Sequence, residues 1–241
     1  MAILDRISIS LTPRSDPHPW YFAIPAIAAL RQAPLELTGS TVIVGDNGSG
    51  KSTLLEAMAD TWLRTALTGA QVAHWSPRVG VEDSDLRWEL VLAGERPAPQ
   101  GGCFVRAEAM YPLFTALDAQ DATGRAFGGA LTTRSHGEGF LAYLQSRTTE
   151  RGLFLLDEPE AALSFTSCLQ LLSLLDALVR AGNQVVLATH SPVLAALPGA
   201  QILQFDETGI TRSTWEDLEL VAHWQAFLGN PQLYLRHLLG E

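Results

Sequence analysis

The sequence predicts an α/β fold, with a mostly parallel central sheet, flanking helices and an N-terminal antiparallel β-subdomain. Three observations lead there. Short apolar runs at Thr41–Val44, Leu153–Leu156 and Gln184–Ala188 suit strands buried on both faces. Stretches of helical periodicity alternate with these runs, the order that a parallel sheet covered by helices requires. Near the N-terminus, Ile3, Ile7, Ile9 and Leu11 share one face of a period-two segment, and Leu86, Trp88, Leu90 and Leu92 repeat the alternation expected of half-buried strands.

The first strand should end in the turn-rich stretch Pro13 to Pro19. After the run at 41–44 comes a glycine-rich loop. Beyond it Leu55, Met58, Trp62 and Ala66 recur at helical spacing, with Gly69 as a stop. The strand through Leu92 leads into a loop from Ala93 to Gly102 and another strand at Cys103–Arg106. From Asp118 to Gly139 the chain is rich in Gly, Thr and Ser with little periodicity, which predicts a mobile surface segment over a site. A leucine-rich helix follows from Leu163 to Val179 and ends near Gly182. From Trp215 two helices are expected, separated by Gly229-Asn230-Pro231. The 241 residues fit one domain, 1–241.

Composition excludes several classes. Hydrophobic residues make up 47% and charged ones 17%, and no 18-residue stretch is free of Pro, Gly and charge, so neither disorder nor a membrane span is expected. Asp5 and Arg6 interrupt an alternating N-terminus, unlike a secretory signal. Cys103 and Cys168 match no metal or disulfide spacing and read as buried thiols, consistent with a reducing cytoplasm. The formal charge of −10 opposes non-specific binding to nucleic acid but leaves room for a local patch.

Lys51 is the only lysine among sixteen basic residues, and it stands in Gly45-Asp46-Asn47-Gly48-Ser49-Gly50-Lys51-Ser52-Thr53. Glycines at 45, 48 and 50 let backbone N–H groups converge on phosphate oxygens, and the following helix aims its positive end at the same anion. A compact ammonium fits such a cradle where the flat fork of arginine does not. Lys51 would reach the β and γ phosphates of a nucleoside triphosphate and Ser52 would ligate Mg²⁺. Asp157 closes the apolar run 153–156, at the carboxyl end of its strand, where open parallel sheets bind ligands. It is expected to hold Mg²⁺, through water, and Glu158 to orient and deprotonate the attacking water.

These residues resemble the ATP-binding-cassette class of P-loop ATPases. Ser135-His136-Gly137-Glu138-Gly139 is similar to a divergent signature loop, and Pro159-Glu160-Ala161-Ala162-Leu163-Ser164 to the loop that touches a partner subunit. Thr189-His190-Ser191 is similar to the segment of the switch histidine. Within the class the match resembles small stand-alone bacterial AAA-family ATPases, akin to the heads of RecF and chromosome-maintenance proteins. Only 84 positions separate Lys51 from Ser135, too few for the coiled-coil or arch insertion of many relatives. The resemblance implies an ATP-dependent homodimer, in which Ser135 and Gly137 contact the γ-phosphate bound by the other copy, and implies that His190 contacts the γ-phosphate and senses its loss. It also implies a protein partner that the residues do not identify, or the nucleotide-binding subunit of a transporter. Two departures stand out. Glu138 puts a carboxylate where transporters carry neutral groups. The family's Mg²⁺-coupling glutamine has no clear counterpart, Gln100 lying in a loop and Glu108 ending a strand; Glu108 is favoured as the further metal contact. An aromatic of Trp20-Tyr21-Phe22 could stack on adenine or belong to the core.

Overall fold

Alternation at the N-terminus produces β1 (Leu4–Ile9), followed by the short helix α1 (Pro25–Ala29) and β2 (Leu35–Glu36). The apolar run at 41–44 lies in β3 (Ser40–Gly45), and α2 (Lys51–Thr65) starts directly after the glycine loop. The chain continues through α3 (Leu86–Glu89), β4 (Leu90–Gly94), β5 (Gly101–Arg106), α4 (Met110–Gln120) and α5 (His136–Ser146). Then come β6 (Gly152–Asp157), α6 (Phe165–Arg180), β7 (Gln184–Ala188), α7 (Pro192–Ala195), β8 (Gln201–Asp206), β9 (Gly209–Ser213), α8 (Glu219–Gly229) and α9 (Gln232–Leu239). The structure is a computed structural model that describes residues 2–11, 19–67, 85–120 and 127–239. The turn residues 13–18, the Gly69 stop and positions 121–126 of the expected surface segment lie outside the described residues.

Two sheets form. The larger has the order β5-β6-β7-β3-β8-β9, parallel except for its edge strand β9; the smaller, β2-β1-β4, is antiparallel. Successive residues of β3 explain the layers. Ile43 faces a core built with β1, α1 and α2, whereas Val42 and Val44 face one built with α4, α5 and α6. In β6, Leu155 joins the first core and Phe154 and Leu156 the second. A strand buried on both faces needs apolar side chains at every position, hence the unbroken runs. Both cysteines are buried free thiols, and burial pushes Cys103 up to about 12. Among the described residues no helix is long and apolar enough to cross a membrane.

Three expectations change. Leu86–Glu89 is a helical turn and only Leu90 onward is a strand. The β1 ladder ends at Ile9 opposite Leu90, and the Arg87 carbonyl accepts from the Thr61 hydroxyl of α2 instead of a strand neighbour. The segment expected to be mobile carries helix at both ends: α4 runs to Gln120, α5 begins at His136, and the Asp118 carboxylate accepts from the N–H groups of Leu131 and Thr132 at 2.8 Å. The Leu131 side chain, at 1% exposure, joins the core. Leu11 lies beyond β1 and is exposed.

A fully buried side chain ties the two sheets. Gln184, fully buried at the start of β7, accepts with Oε1 from the N–H groups of Ile3 and Leu4 and donates with Nε2 to the carbonyls of Leu4 and Thr38. Each buried peptide group left without a partner costs about 1–3 kcal/mol. Gln184→Leu should therefore lower stability by about 3–5 kcal/mol, read from the midpoint of urea unfolding at unchanged slope. A shift within experimental error would show that the Gln184 amide contributes little to docking of the small sheet.

Candidate functional site

The parallel strands bring their carboxyl ends to one edge, and the expected residues meet there. Ile43 of β3 and Asp157 of β6 both register with Ala188 of β7, so the phosphate loop, Asp157 and His190 follow three neighbouring strand ends. Loop geometry depends on glycine. Gly45 has φ 156°, and a Cβ there would stand 2.3 Å from the Phe205 carbonyl oxygen. Gly50 has φ 97° and caps α2 without a side-chain hydrogen bond, so the first N–H groups of α2 remain for an anion. Asn47 and Gly48 are exposed, and the Ser49 hydroxyl is buried with no hydrogen-bond partner among the described residues. Thr53 is half-buried in the first turn of α2. A cavity of about 600 Å³ opens beside the loop, lined by Pro25, Asn47, His190 and Phe205 among others.

Lys51 is 3% exposed, and its ammonium donates to the carbonyls of Gly45 at 2.9 Å and Asp46 at 3.0 Å. Burial lowers its pKa, against the nearby carboxylates of Glu158, Asp157, Asp46 and Glu160. Ser52 Oγ donates to Asp157 Oδ1 at 3.0 Å, which brings the two candidate Mg²⁺ contacts together. Asp157 is 1% exposed, and burial pushes it up to about 6 against the pull of Arg106 and the Ser52 hydrogen bond.

Glu158 has φ 47° and ψ 49°, the one left-handed non-glycine residue among those described. A side chain with a Cβ is strained there, and such strain collects at functional sites. The bend turns its carboxylate toward the site: Oε1 lies 3.1 Å from His190 Nε2 and 3.8 Å from Lys51 Nζ. His190 is fixed by its own N–H, which donates to Glu160 Oε1. The sequence marks Glu160 only as part of the segment that resembles a partner-touching loop. The motif gave its neighbourhood but not this contact, which joins residues 30 apart.

Arg106 was missed altogether. It closes β5 in register with Asp157, and its Nε stands 3.6 Å from Asp157 Oδ2 and 3.5 Å from Glu108 Oε2. Its Nη1 pairs with Glu56 Oε1 of α2. A cation ending an apolar strand, beside Glu108, was the available signal. Glu108 itself is exposed and faces Arg106; among the described residues no hydrogen bond or ion pair takes it to Ser52 or Asp157. The Gln100 amide donates to the carbonyls of Ala66 and Ala98.

The signature segment forms the start of α5. Ser135 caps α5 and Glu138 completes a capping box: the Ser135 hydroxyl donates to Glu138 Oε2 at 2.7 Å and accepts from the Glu138 N–H. That bond holds the Glu138 carboxyl below the usual range, so its local role is helix capping. Gly137 is buried, and a Cβ there would meet Ser167 Oγ of α6 at 2.9 Å. Exposed His136 stacks on Tyr111. Among the described residues no hydrogen bond or ion pair joins Ser135, Gly137 or Glu138 to Lys51 or Asp157. Of the aromatics considered for adenine, Tyr21 is a core residue at 2% exposure, Phe22 carries Arg31 over its ring, and none of the three lines the cavity.

A glycine loop between a buried strand and an uncapped helix start, facing an acid at the end of a second strand, defines the class of phosphate-loop nucleotide-binding proteins. Comparison with known proteins agrees. Residues 26–71 match a family described as the P-loop containing region of AAA domain, and residues 127–196 one described as "AAA domain, putative AbiEii toxin, Type IV TA system". The chain is 30% identical over 206 residues to the cytochrome c biogenesis ATP-binding export protein CcmA of Rhodospirillum rubrum, covering 76% of this chain and 80% of that protein. It is 33% identical over 185 residues to a "Putative ABC transporter ATP-binding protein" of Streptomyces avermitilis, covering 70% of this chain and 32% of the relative, so it spans about a third of that protein's length. Among solved structures, the SMC head domain from Thermotoga maritima aligns with 89% of this chain and 100% of its own at 15% identity and a TM-score of 0.49. The chain belongs to the ABC class of P-loop ATPases.

Proposed function

We propose that residues 1–241 act as one ABC-type ATPase domain that binds and hydrolyses Mg-ATP in the cytoplasm, and that two copies close around ATP to act on or with a partner protein. The observation that carries this reading is the convergence of Lys51, Ser52, Asp157, Glu158 and His190 at one sheet edge. Loop N–H groups and the Lys51 ammonium hold the β and γ phosphates. Glu158 orients the attacking water and takes its proton, while His190 holds the Glu158 carboxylate and meets the γ-phosphate. The donors fit Mg²⁺: a hydroxyl and a carboxylate oxygen 3.0 Å apart are hard ligands, and Mg²⁺ is commonly bound by one or two side chains plus phosphates and waters. When bound, Mg²⁺ supplies charge neutralisation on the β and γ oxygens.

Ser135 and Gly137 of a second copy would complete the γ-phosphate site, with Glu138 beside them. Light scattering with and without Mg-ATP tests the assembly. The expected result is a doubling of mass with nucleotide; an unchanged mass at saturating Mg-ATP would leave an ATPase without the dimer. A second reading, as the nucleotide-binding subunit of a transporter, is supported by the names of the relatives. Against it, Gln100 is engaged with Ala66 and Ala98. Reproducible co-purification with an integral membrane protein would favour that second reading. Nucleic acid is not favoured as a partner at a charge of −10; an ATP-dependent, salt-sensitive shift of DNA mobility would reverse this.

A further inference from the structure

Three carboxylates surround one guanidinium at the edge of the site. Arg106 is a quarter exposed, and its Nη1 pairs with Glu56 on α2 while its Nε faces Asp157 on β6 and Glu108 beyond β5. Glu56 lies four residues after Ser52, hence on the same face of α2. Asp157 divides its two oxygens between the two elements: Oδ1 accepts from Ser52 and Oδ2 faces Arg106. Ser52 and Asp157 thus stand on separate elements, α2 and β6, that are linked a second time through Glu56 and Arg106. The planar fork of arginine suits this task because it offers several fixed donors, whereas an ammonium is a single point charge.

We propose that Arg106 is a positioning residue for Mg²⁺: by bridging Glu56 and Asp157 it sets the spacing and orientation of the Ser52 and Asp157 oxygens. This inference rests on the Mg-ATP reading above. Arg106 touches neither nucleotide nor metal in this role. Its effect falls on the metal-dependent part of nucleotide binding and spares the part supplied by Lys51 and the loop amides. Losing an outer partner of a metal ligand typically weakens metal affinity about 10- to 100-fold. Glu56 gives an independent handle, because Glu56→Gln weakens the link to α2 and leaves the guanidinium beside Asp157.

The test is binding of N-methylanthraniloyl-ATP by fluorescence, titrated with Mg²⁺ and repeated in excess EDTA, for wild type, Arg106→Gln, Arg106→Lys and Glu56→Gln, with thermal melts confirming that each variant is folded. Arg106→Gln should raise the Mg²⁺ concentration for half-maximal binding at least about tenfold, with affinity in EDTA within about twofold of wild type. Arg106→Lys should recover part of the loss, and Glu56→Gln should shift in the same direction as Arg106→Gln. An unchanged Mg²⁺ dependence in Arg106→Gln would overturn the proposal. So would an equal loss with and without Mg²⁺, which marks a merely structural residue. Tighter Mg²⁺ binding in Arg106→Gln would show that Arg106 only competes with the metal for Asp157, and would also overturn it. Should wild type itself fail to bind the analogue with Mg²⁺, the Mg-ATP reading fails, and that outcome is distinct from the others.

Discussion

Glu158→Gln is expected to retain Mg-ATP, to lose turnover by about 10²–10⁴-fold, and to accumulate as a nucleotide-bound dimer. The amide keeps the length of the side chain and can still meet His190 Nε2, now 3.1 Å from Oε1. It cannot take a proton from water. Binding and chemistry therefore separate in this variant, and light scattering on the nucleotide-loaded protein should show the larger species persisting. Normal phosphate release by Glu158→Gln would remove Glu158 from the role of base. Its backbone gives a companion experiment. At φ 47° a residue with a Cβ is held at a cost of about 1–2 kcal/mol, and glycine adopts that region without it. Glu158→Gly should be as inactive as Glu158→Gln yet should not melt below wild type, the pattern expected when strain is maintained for activity.

Lys51→Ala should weaken nucleotide binding about 10- to 100-fold, the range for losing a charged hydrogen-bond donor of 1.5–3 kcal/mol. Turnover should fall further, because the same ammonium faces charge that develops in the transition state. The geometry is specific. At 3% exposure the ammonium donates to the carbonyls of Gly45 and Asp46, so the loop is folded around a point charge. Lys51→Arg should fail to restore binding, since a planar fork cannot occupy that pocket with the same two acceptors. Isothermal titration with Mg-ATP checks both variants. Wild-type affinity in Lys51→Arg would show that charge alone, without compactness, is what the loop requires.

Much of the site was legible because its chemistry is local in sequence. The nine residues from Gly45 to Thr53 contain the turn, the cation and the helix start, and Asp157 with Glu158 closes an apolar run whose burial its composition announces. Strands β3, β6 and β7 were legible for the same reason. The turn at Leu86–Glu89 was not, since Leu86 and Leu90 fit either period; the strand ends where its partner β1 ends. Strands β8 and β9 and helix α4 were not anticipated, as no strong run or cap marks them. The Gly and Thr content of residues Asp118 to Gly139 gives no sign that the Asp118 carboxylate anchors the Leu131 turn across thirteen positions. Neither side of that contact is recognisable without the other.

The chain by itself determined its alternating α/β order, its buried strands, its phosphate loop and its leading acids, because each depends on residues adjacent along the backbone. Tertiary structure alone decided that Arg106 stands between Glu56 and Asp157, that Glu160 fixes His190, and that Gln184 joins the two sheets. Each of those contacts joins residues about 30 to 180 positions apart. Their partners are chosen by strand register and helix packing, which no local pattern of residues records.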